Sequence, residues 1–272
     1  MRTKEVEIGV HILARTTVDE LAVRAWLNEL GAYEYEIPAD ASDAALIVAL
    51  AAKQCYMSFQ PGLNPNVTKV RSDLCEYLDN ILASGHGSVL EHACFTFGIN
   101  NVSRVFTGEM NRHRAGWAIS ERSMRFIRFE NEIAFWMPTS LRDDPGDDDD
   151  LRRRKAESRR IFHEAFDSQV ELYGRLMALW DMDDGDKNFA YKKKVTSCMR
   201  RIIGMGVATG GVWTGNVRAL RHVLAMRCSP AAEEEILHVF SRIAQQMVQS
   251  EPMLFGDFNQ ASGWWAPKYS KV

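Results

Sequence analysis

The feature that most constrains the fold is the alternation of polar and apolar side chains in residues 5–13, Glu-Val-Glu-Ile-Gly-Val-His-Ile-Leu. A period of two is typical of a β-strand that buries one of its faces. The chain therefore begins with β structure. A second segment of this kind, residues 94–99, also predicts a strand.

Most other patterned segments are helical. Their apolar residues recur at steps of three and four, as in an amphipathic helix. We expect helices at residues 17–30, 44–56, 70–84, 160–180, 191–203, 216–227 and 231–249. Together with the strands they predict a mixed α/β fold of the α+β kind, in which a sheet is flanked by long helices. At 272 residues we expect one domain over 1–272, with a helical insertion around residues 141–190.

Charge and cysteine usage exclude several classes of protein. There are 33 Lys and Arg against 36 Asp and Glu, so no global positive field attracts nucleic acid or an anionic membrane. The five cysteines have no Cys-x-x-Cys spacing, which argues against a disulfide framework and a zinc ribbon. The longest apolar run, residues 44–52, is far shorter than the roughly 20 residues that cross a bilayer. We expect a cytoplasmic protein that binds neither nucleic acid nor membrane.

The densest polar stretch runs from Arg104 to Arg128 and is rich in arginine. Paired guanidinium groups beside a serine suit bidentate capture of a phosphate, so the stretch indicates an anion site. Two other interpretations stay open at this point. The stretch could be a solvated basic loop, or an RNA-binding patch in which Phe126 and Phe129 stack on bases.

A helical segment at 216–227 carries a second polar group. Arg218 and His222 are four residues apart and share one stripe of the helix, although, taken alone, the segment is better explained as a charged face exposed to water. His86, Glu91 and His92 do not match the order of a zinc motif, so we expect no metal. The glycines between 204 and 215 lack the spacing of a dinucleotide-binding or phosphate-binding loop.

Three ordered segments resemble the flavin-dependent thymidylate synthases of the ThyX type. Residues 85–92 are similar to the family's Gly-His-x-Ser-x-x-Glu-His motif. Residues 112–114 and 121–125 resemble its Arg-His-Arg and Glu-x-Ser-x-Arg signature, and residues 216–227 resemble its C-terminal helix. Three matches in order over about 140 residues are more specific than any one of them.

The resemblance implies a homotetramer with active sites between subunits, each holding FAD and a uridine monophosphate. It implies that a reduced flavin, recharged by NADPH, drives transfer of the methylene group of methylenetetrahydrofolate to C5 of dUMP. In this family no enzyme cysteine attacks the pyrimidine. None of the cysteines here stands in a recognisable nucleophile setting, which agrees with that chemistry.

The resemblance also assigns roles to residues. Arg227 would polarise a pyrimidine carbonyl and His86 would lie near the flavin, and these two are the predicted catalytic residues. The predicted cofactor-binding residues are Cys55, Ser88, Glu91, Arg112, His113, Arg114, Glu121, Asn216, Arg218 and His222. The predicted substrate-binding residues are Glu109, Arg112, Glu121, Ser123, Met124, Arg125, Arg200 or Arg201, and Arg227.

The sequence departs from the family signature in the substrate loop. It has one more residue than usual between Arg114 and Glu121, with Trp117 where a small polar residue is expected. Glu109 replaces a glutamine, and a carboxylate suits a ribose hydroxyl better than a phosphate. One hypothesis is that UMP is accepted beside dUMP, as in modified-nucleoside biosynthesis. The alternatives are a thymidylate synthase specific for dUMP and a related flavoprotein that performs C5 hydroxymethylation.

Overall fold

The structure is a computed structural model and describes residues 2–271. Its helices are α1 Glu20–Glu29, α2 Asp43–Tyr56, α3 Leu74–Ala83, α4 Arg104–Met110, α5 Asp149–Leu179, α6 Phe189–Met199, α7 Val217–Arg227, α8 Glu234–Ser250 and α9 Pro252–Phe255. Its strands are β1 Thr3–Glu5, β2 Gly9–Arg15, β3 Cys94–Ser103, β4 Trp117–Glu121, β5 Ile133–Phe135, β6 Ala208–Asn216, β7 Phe258–Asn259 and β8 Ala266–Pro267.

The strands form three sheets. The largest has four strands in the order β2-β3-β6-β4. Strands β1 and β5 pair in parallel, with Thr3 opposite Ile133, and β7 pairs with β8 in antiparallel fashion. The predicted combination of a sheet with long helices is confirmed.

Local side-chain signals explain where several helices begin. The Ser42 hydroxyl accepts the backbone N–H of Ala45 at the start of α2, and Asp148 caps α5 in the same manner. A side-chain oxygen that satisfies a backbone donor of the first turn is the usual N-cap interaction. Two acidic residues, Asp149 and Asp150, occupy the first turn of α5, where the helix dipole favours negative charge.

The strand predictions were less accurate than the helix predictions. The expected strand at residues 5–13 is divided into β1 and β2, and β4 and β6 were not predicted. Strand β6 contains three glycines, which disfavour a strand on propensity alone. A Cβ at Gly210 would lie 2.7 Å from the carbonyl oxygen of Ile99, so close approach of the neighbouring backbone requires glycine here.

The described chain divides into two compact units. The first unit comprises the segment ending at Gly9, Gly98–Arg112 and Ile119–Val212. Its core is built on α5, where the ring of Phe166 stacks on that of Phe135 at 4.5 Å and Tyr173 meets Phe129 edge to face. The single domain predicted from sequence stays a prediction.

The second unit comprises Val10–Phe97, His113–Ala118 and the segment from Trp213 onward. It contains a buried ion pair between α7 and the chain that follows α9. Arg221 and Asp257, whose side chains are 3% and 5% exposed, form two hydrogen bonds of 2.6 and 2.8 Å. Arg221 also donates to the backbone carbonyl of Leu254 at 2.6 Å. The bidentate geometry joins the C-terminal segment to α7.

Within residues 2–271, no helix is both long enough and apolar enough to cross a membrane.

We predict that Asp257→Asn lowers the free energy of unfolding by about 3 kcal/mol or more, because it leaves the buried Arg221 guanidinium without its anion. Denaturant unfolding measures the change. The matched control is Glu20→Gln, which removes the acid of an exposed pair with Arg24 and should cost only about 0.3–0.5 kcal/mol. Equal effects of the two substitutions would show that the buried pair has no special role.

Candidate functional site

The predicted site residues fall into two groups, one in each unit. The first unit contains Glu109, Arg112, Glu121, Ser123, Met124, Arg125, Arg200 and Arg201. The second unit contains Cys55, His86, Ser88, Glu91, His113, Arg114, Asn216, Arg218, His222 and Arg227. Predicted nucleotide contacts therefore predominate in the first unit, and predicted flavin contacts predominate in the second.

In the first unit, the carboxylate of Glu121 is held by both ends of α4. Arg104, the first residue of α4, contacts Oε1 at 2.5 Å, and Asn111, which caps the other end, donates to Oε2 at 3.0 Å. Arg104 also donates to the backbone carbonyl of Arg122 at 3.0 Å. Arg104 and Asn111 were not predicted as site residues, although both belong to the arginine-rich stretch from Arg104 to Arg128. Their contacts fix the end of β4.

The chain turns tightly directly after Glu121 and Arg122. The hydroxyl of Ser123 accepts the backbone N–H of Arg125 at 3.4 Å, and the carbonyl of Ser123 accepts that of Phe126 at 3.1 Å. Arg125 is exposed, whereas Met124 is buried in the hydrophobic core of the unit. The side chain of Met124 therefore serves packing, and its contact with substrate stays a prediction.

A basic hollow of about 470 Å³ lies beside this turn. Its lining residues are Arg125, Ala190, Lys193, Lys194, Ser197, Cys198 and Arg201. Four of the seven are cationic and none is acidic, so the hollow concentrates positive charge. Arg201 also donates to the carbonyls of Ser197 and Cys198 at 3.1 and 3.2 Å, which restrains its guanidinium group.

The basic hollow distinguishes Arg200 from Arg201, the two arginines that the sequence offered as alternatives for contact with the substrate. Arg201 lines the hollow together with Arg125, and Arg200 is the residue that caps α6. Next to the hollow, the exposed rings of Phe126 and Phe189 stack at 6.0 Å, and Lys193 lies 5.0 Å from the centre of the Phe126 ring. The position of Arg201 favours it as the partner of Arg125.

In the second unit, the start of α7 packs against the segment that follows Arg114. Asn216 caps α7 by accepting the N–H of Ala219 at 2.8 Å, and its own N–H donates to the carbonyl of Gly116 at 3.1 Å. A Cβ at Gly116 would lie 2.7 Å from the Cβ of Ala219. A Cβ at Gly215 would likewise lie only 2.9 Å from the ring of Trp117. The enlarged loop is therefore closely packed at its start.

Two pairs of predicted site residues are in direct contact in this unit. The Nε–H of Arg227 donates to Nε2 of His113 at 2.9 Å, so that nitrogen is the unprotonated one. Arg218 forms a half-exposed ion pair with Glu91 at 2.6 Å. The structure thus brings together side chains that lie more than 100 residues apart in the sequence.

The remaining predicted residues of the second unit lie at exposed positions: Cys55, His86, Ser88, Arg114 and His222. Cys55 is in the last turn of α2, and His86 precedes a short 3₁₀ helix at Gly87–His92. The rings of His86 and Tyr56 meet edge to face at 6.3 Å. Nothing in these positions tests the roles that the sequence assigned, and those roles stay predictions.

Two of the cysteines are poor nucleophiles because of their surroundings. Burial raises the pKa of the Cys228 thiol to about 12 and raises the pKa of the Cys94 thiol above its usual value. A raised pKa lowers the fraction of reactive thiolate at neutral pH. Among residues 2–271, no group of three His, Cys, Asp or Glu side chains is arranged to hold a metal ion.

Comparison with known proteins identifies the family. The family described as thymidylate synthase complementing protein matches residues 38–253. The chain belongs to the flavin-dependent thymidylate synthase family. A flavin-dependent thymidylate synthase of Corynebacterium efficiens is 31% identical over 258 residues, which cover 94% of this chain and 92% of that protein. The Mycobacterium tuberculosis protein of the same name is 33% identical over 221 residues, covering 80% and 81% of the two chains.

Two solved structures have the same fold as this chain. The crystal structure of PolB, a UMP/dUMP methylase from Streptomyces cacaoi bound with 5-Br UMP, aligns with a TM-score of 0.63 and 18% identity and covers 94% of this chain and 96% of that one. ThyX from Helicobacter pylori, with FAD and dUMP, aligns with a TM-score of 0.53 and 17% identity over 92% and 98% of the chains. The predicted family, fold class and enzyme type are confirmed.

We predict that Gly116→Ala destabilises the protein by about 2–4 kcal/mol, because its φ is +74° and the added Cβ would meet α7. The control is Gly263→Ala. Its φ is +86°, yet a Cβ there meets nothing within 4 Å, so only the conformational cost of about 1 kcal/mol applies. Chemical denaturation measures both. If the control is as harmful as Gly116→Ala, the contact with α7 is not responsible.

Proposed function

We propose that the protein is a flavin-dependent methylase that acts at C5 of a uridine 5′-monophosphate. The carbon donor is methylenetetrahydrofolate and the reductant is NADPH. The active form is a homotetramer with active sites between subunits. Membership in the flavin-dependent thymidylate synthase family supports this proposal, together with the basic hollow in the first unit.

The basic hollow is the observation that carries the proposal. A nucleotide monophosphate presents a dianion, and two guanidinium groups can each bind two of its oxygens. Arg125 and Arg201 supply these groups. The hydroxyl of Ser123, which accepts the backbone N–H of Arg125 at 3.4 Å, lies at the adjacent turn and is the proposed third ligand. Ser123 acts as a ligand in this proposal and not as a nucleophile, because no base is assigned to activate it.

The donor set of the second unit fits FAD. Arg114 and Arg218 are guanidinium groups at exposed positions, and Ser88 adds a hydroxyl, which together suit a pyrophosphate. The indole N–H of Trp117 is buried and has no hydrogen-bond partner in the described chain, so an acceptor from a bound molecule would satisfy it. The flavin supplies the reducing electrons of the reaction when it is bound.

Arg227 and His113 have complementary roles in this mechanism. The guanidinium of Arg227 would stabilise negative charge on a pyrimidine carbonyl oxygen while C5 acts as the carbon nucleophile toward the methylene group. His113 fixes the orientation of that guanidinium through the 2.9 Å hydrogen bond to Nε. Since both cation and acceptor are in place before the reaction, little reorganisation is needed when charge develops.

Mass spectrometry of the product tests the proposal directly. The purified protein is supplied with FAD, NADPH, methylenetetrahydrofolate and dUMP. A product heavier by one methyl group supports the proposal, and a hydroxymethyl group would instead support C5 hydroxymethylation on the same fold. Absence of any modified nucleotide would contradict both.

We predict that Arg201→Gln raises the KM for dUMP by about tenfold or more, since it removes one charged hydrogen-bonding group from the phosphate. Arg200→Gln is the matched control in the same turn of chain and should change KM little. Steady-state kinetics at saturating cofactor measure both variants. The opposite order of effects would assign the phosphate to Arg200.

Acceptance of UMP is a second candidate function. The UMP/dUMP methylase from Streptomyces cacaoi shares the fold, and Glu109 is half-buried near the end of α4. We predict that Glu109→Gln reduces UMP turnover more than dUMP turnover, because the amide is a poorer acceptor for the 2′-hydroxyl. The two nucleotides are offered in competition and the products are weighed. Equal losses on both nucleotides, or no turnover of UMP by the unmodified protein, would exclude a 2′-hydroxyl contact.

A further inference from the structure

A buried lysine near the end of α2 has no acidic partner. The side chain of Lys53 is only 3% exposed, and its Nζ lies 4.4 Å from the centre of the Tyr77 ring and 5.5 Å from that of Tyr35. It donates to the carbonyls of Ser58 and Arg71 at 3.4 and 3.3 Å, which are long for hydrogen bonds. No Asp or Glu in residues 2–271 forms a salt bridge with it.

Such an arrangement is energetically unfavourable without an anion. Buried charges in proteins are normally paired, because removal from water costs several kcal/mol per ion. Burial lowers the pKa of Lys53 to about 8, so the side chain remains mostly protonated at neutral pH. The two aromatic faces compensate only in part, since a cation over a ring contributes roughly 0.5–2 kcal/mol. An anion next to Lys53 would complete the pair.

Lys53 lies in the wall of a cavity of about 580 Å³ in the second unit. Three rings, those of Tyr35, Phe59 and Tyr77, also line it, and Tyr35 meets Phe59 edge to face at 5.5 Å. The hydroxyl of Tyr35 is buried and has no hydrogen-bond partner within the described chain. Volumes of 300–1,000 Å³ with apolar walls and few polar groups are typical of small-molecule sites.

The charges around this cavity are arranged asymmetrically. Glu34, Glu36 and Arg71 line it from exposed positions, whereas Lys53 is the buried charge. The three exposed charges are solvated, so the buried ammonium is the charge that gains most from an anion inside the cavity. Such a cavity suits a ligand with one negative charge at one end and a flat, apolar body.

None of the residues around this cavity belongs to the predicted flavin or nucleotide groups. A smaller cavity of about 310 Å³ shares Lys53 and Tyr77 with it and is also lined by His86. Lys53 thus lies between two cavities. The proposed function does not use the larger one, and the smaller one is lined by His86, a predicted catalytic residue. Occupation of the larger cavity is therefore a property additional to the methylase activity.

We propose that the cavity lined by Lys53, Tyr35 and Tyr77 is a binding site for a small aromatic carboxylate. The carboxylate pairs with the ammonium of Lys53 and accepts a hydrogen bond from the hydroxyl of Tyr35. The aromatic ring of the ligand lies among the three rings of the cavity, where edge-to-face contacts are favourable.

Ligand-observed NMR with benzoate and benzamide tests this site in the flavin-loaded protein. The two probes have nearly the same shape and differ in charge. Benzoate should bind at least about tenfold more tightly, since a charged hydrogen bond adds roughly 1.5–3 kcal/mol. Equal affinities, or no binding of either probe at millimolar concentration, would overturn the proposal whatever the outcome of the methylation assay.

Variants of the buried lysine locate the binding. Lys53→Arg should keep the preference for benzoate, and Lys53→Met should abolish it while leaving the melting temperature unchanged or higher, because an unpaired buried charge is removed. Lys187→Met, at a partly exposed lysine that pairs with Asp184, is the matched control and should behave as the unmodified protein does. Persistence of the preference in Lys53→Met would overturn the proposal. If that variant does not fold, the comparison of benzoate with benzamide on the unmodified protein decides.

Discussion

The close approach of Gly116 to the first turn of α7 is the contact on which the second unit's site depends. Only a residue without a side chain allows it, because a Cβ would overlap with Ala219. The approach lets the backbone N–H of Asn216 bond to the loop and places Trp117 against Gly215. His113 and Arg227 meet within the same unit. The absence of a side chain at Gly116 thus allows the backbone contact between the loop and α7, in the same unit as the His113–Arg227 hydrogen bond.

In the first unit, the loop that carries predicted site residues is held by a charged side chain and not by close packing. Glu121 accepts hydrogen bonds from both ends of α4, and the turn that carries Ser123 and Arg125 follows directly. Arg104 and Asn111 therefore hold the end of β4, from which the turn with Arg125 continues. A half-buried carboxylate with two donors resists movement more than an exposed ion pair does, since exposed pairs contribute little. The basic hollow consequently has one edge at this turn, and Lys193 and Lys194 of α6 line another part of it.

The parts of the structure that sequence predicted well are those with local causes. The start of α2 was predicted to within one residue of Asp43, because the Ser42 cap acts within one turn. The start of α5 was predicted at residue 160, eleven residues too late, because the apolar periodicity begins well after its acidic first turn at Asp149 and Asp150. Strands β4 and β6 were missed because their stability comes from neighbours distant in the chain, and β6 is rich in glycine. The candidate site residues were named from the family's motifs, and their roles stay predictions. The contacts of Glu121 with Arg104 and Asn111 could not be predicted, since no local pattern marks a side chain that positions another.

Positioned cations are central to the proposed reaction, which uses no enzyme cysteine. Burial raises the pKa of the thiols of Cys228 and Cys94 and so disfavours their thiolates, while Cys55, Cys75 and Cys198 are exposed. In the proposed reaction the pyrimidine is activated by hydrogen bonds and charge. The Arg227 guanidinium, held by the neutral nitrogen of His113, is suited to that work because its geometry is set before the substrate reacts. Lys53 is also a cation with defined neighbours, since it is buried against the ring of Tyr77. The proposed methylation does not use it.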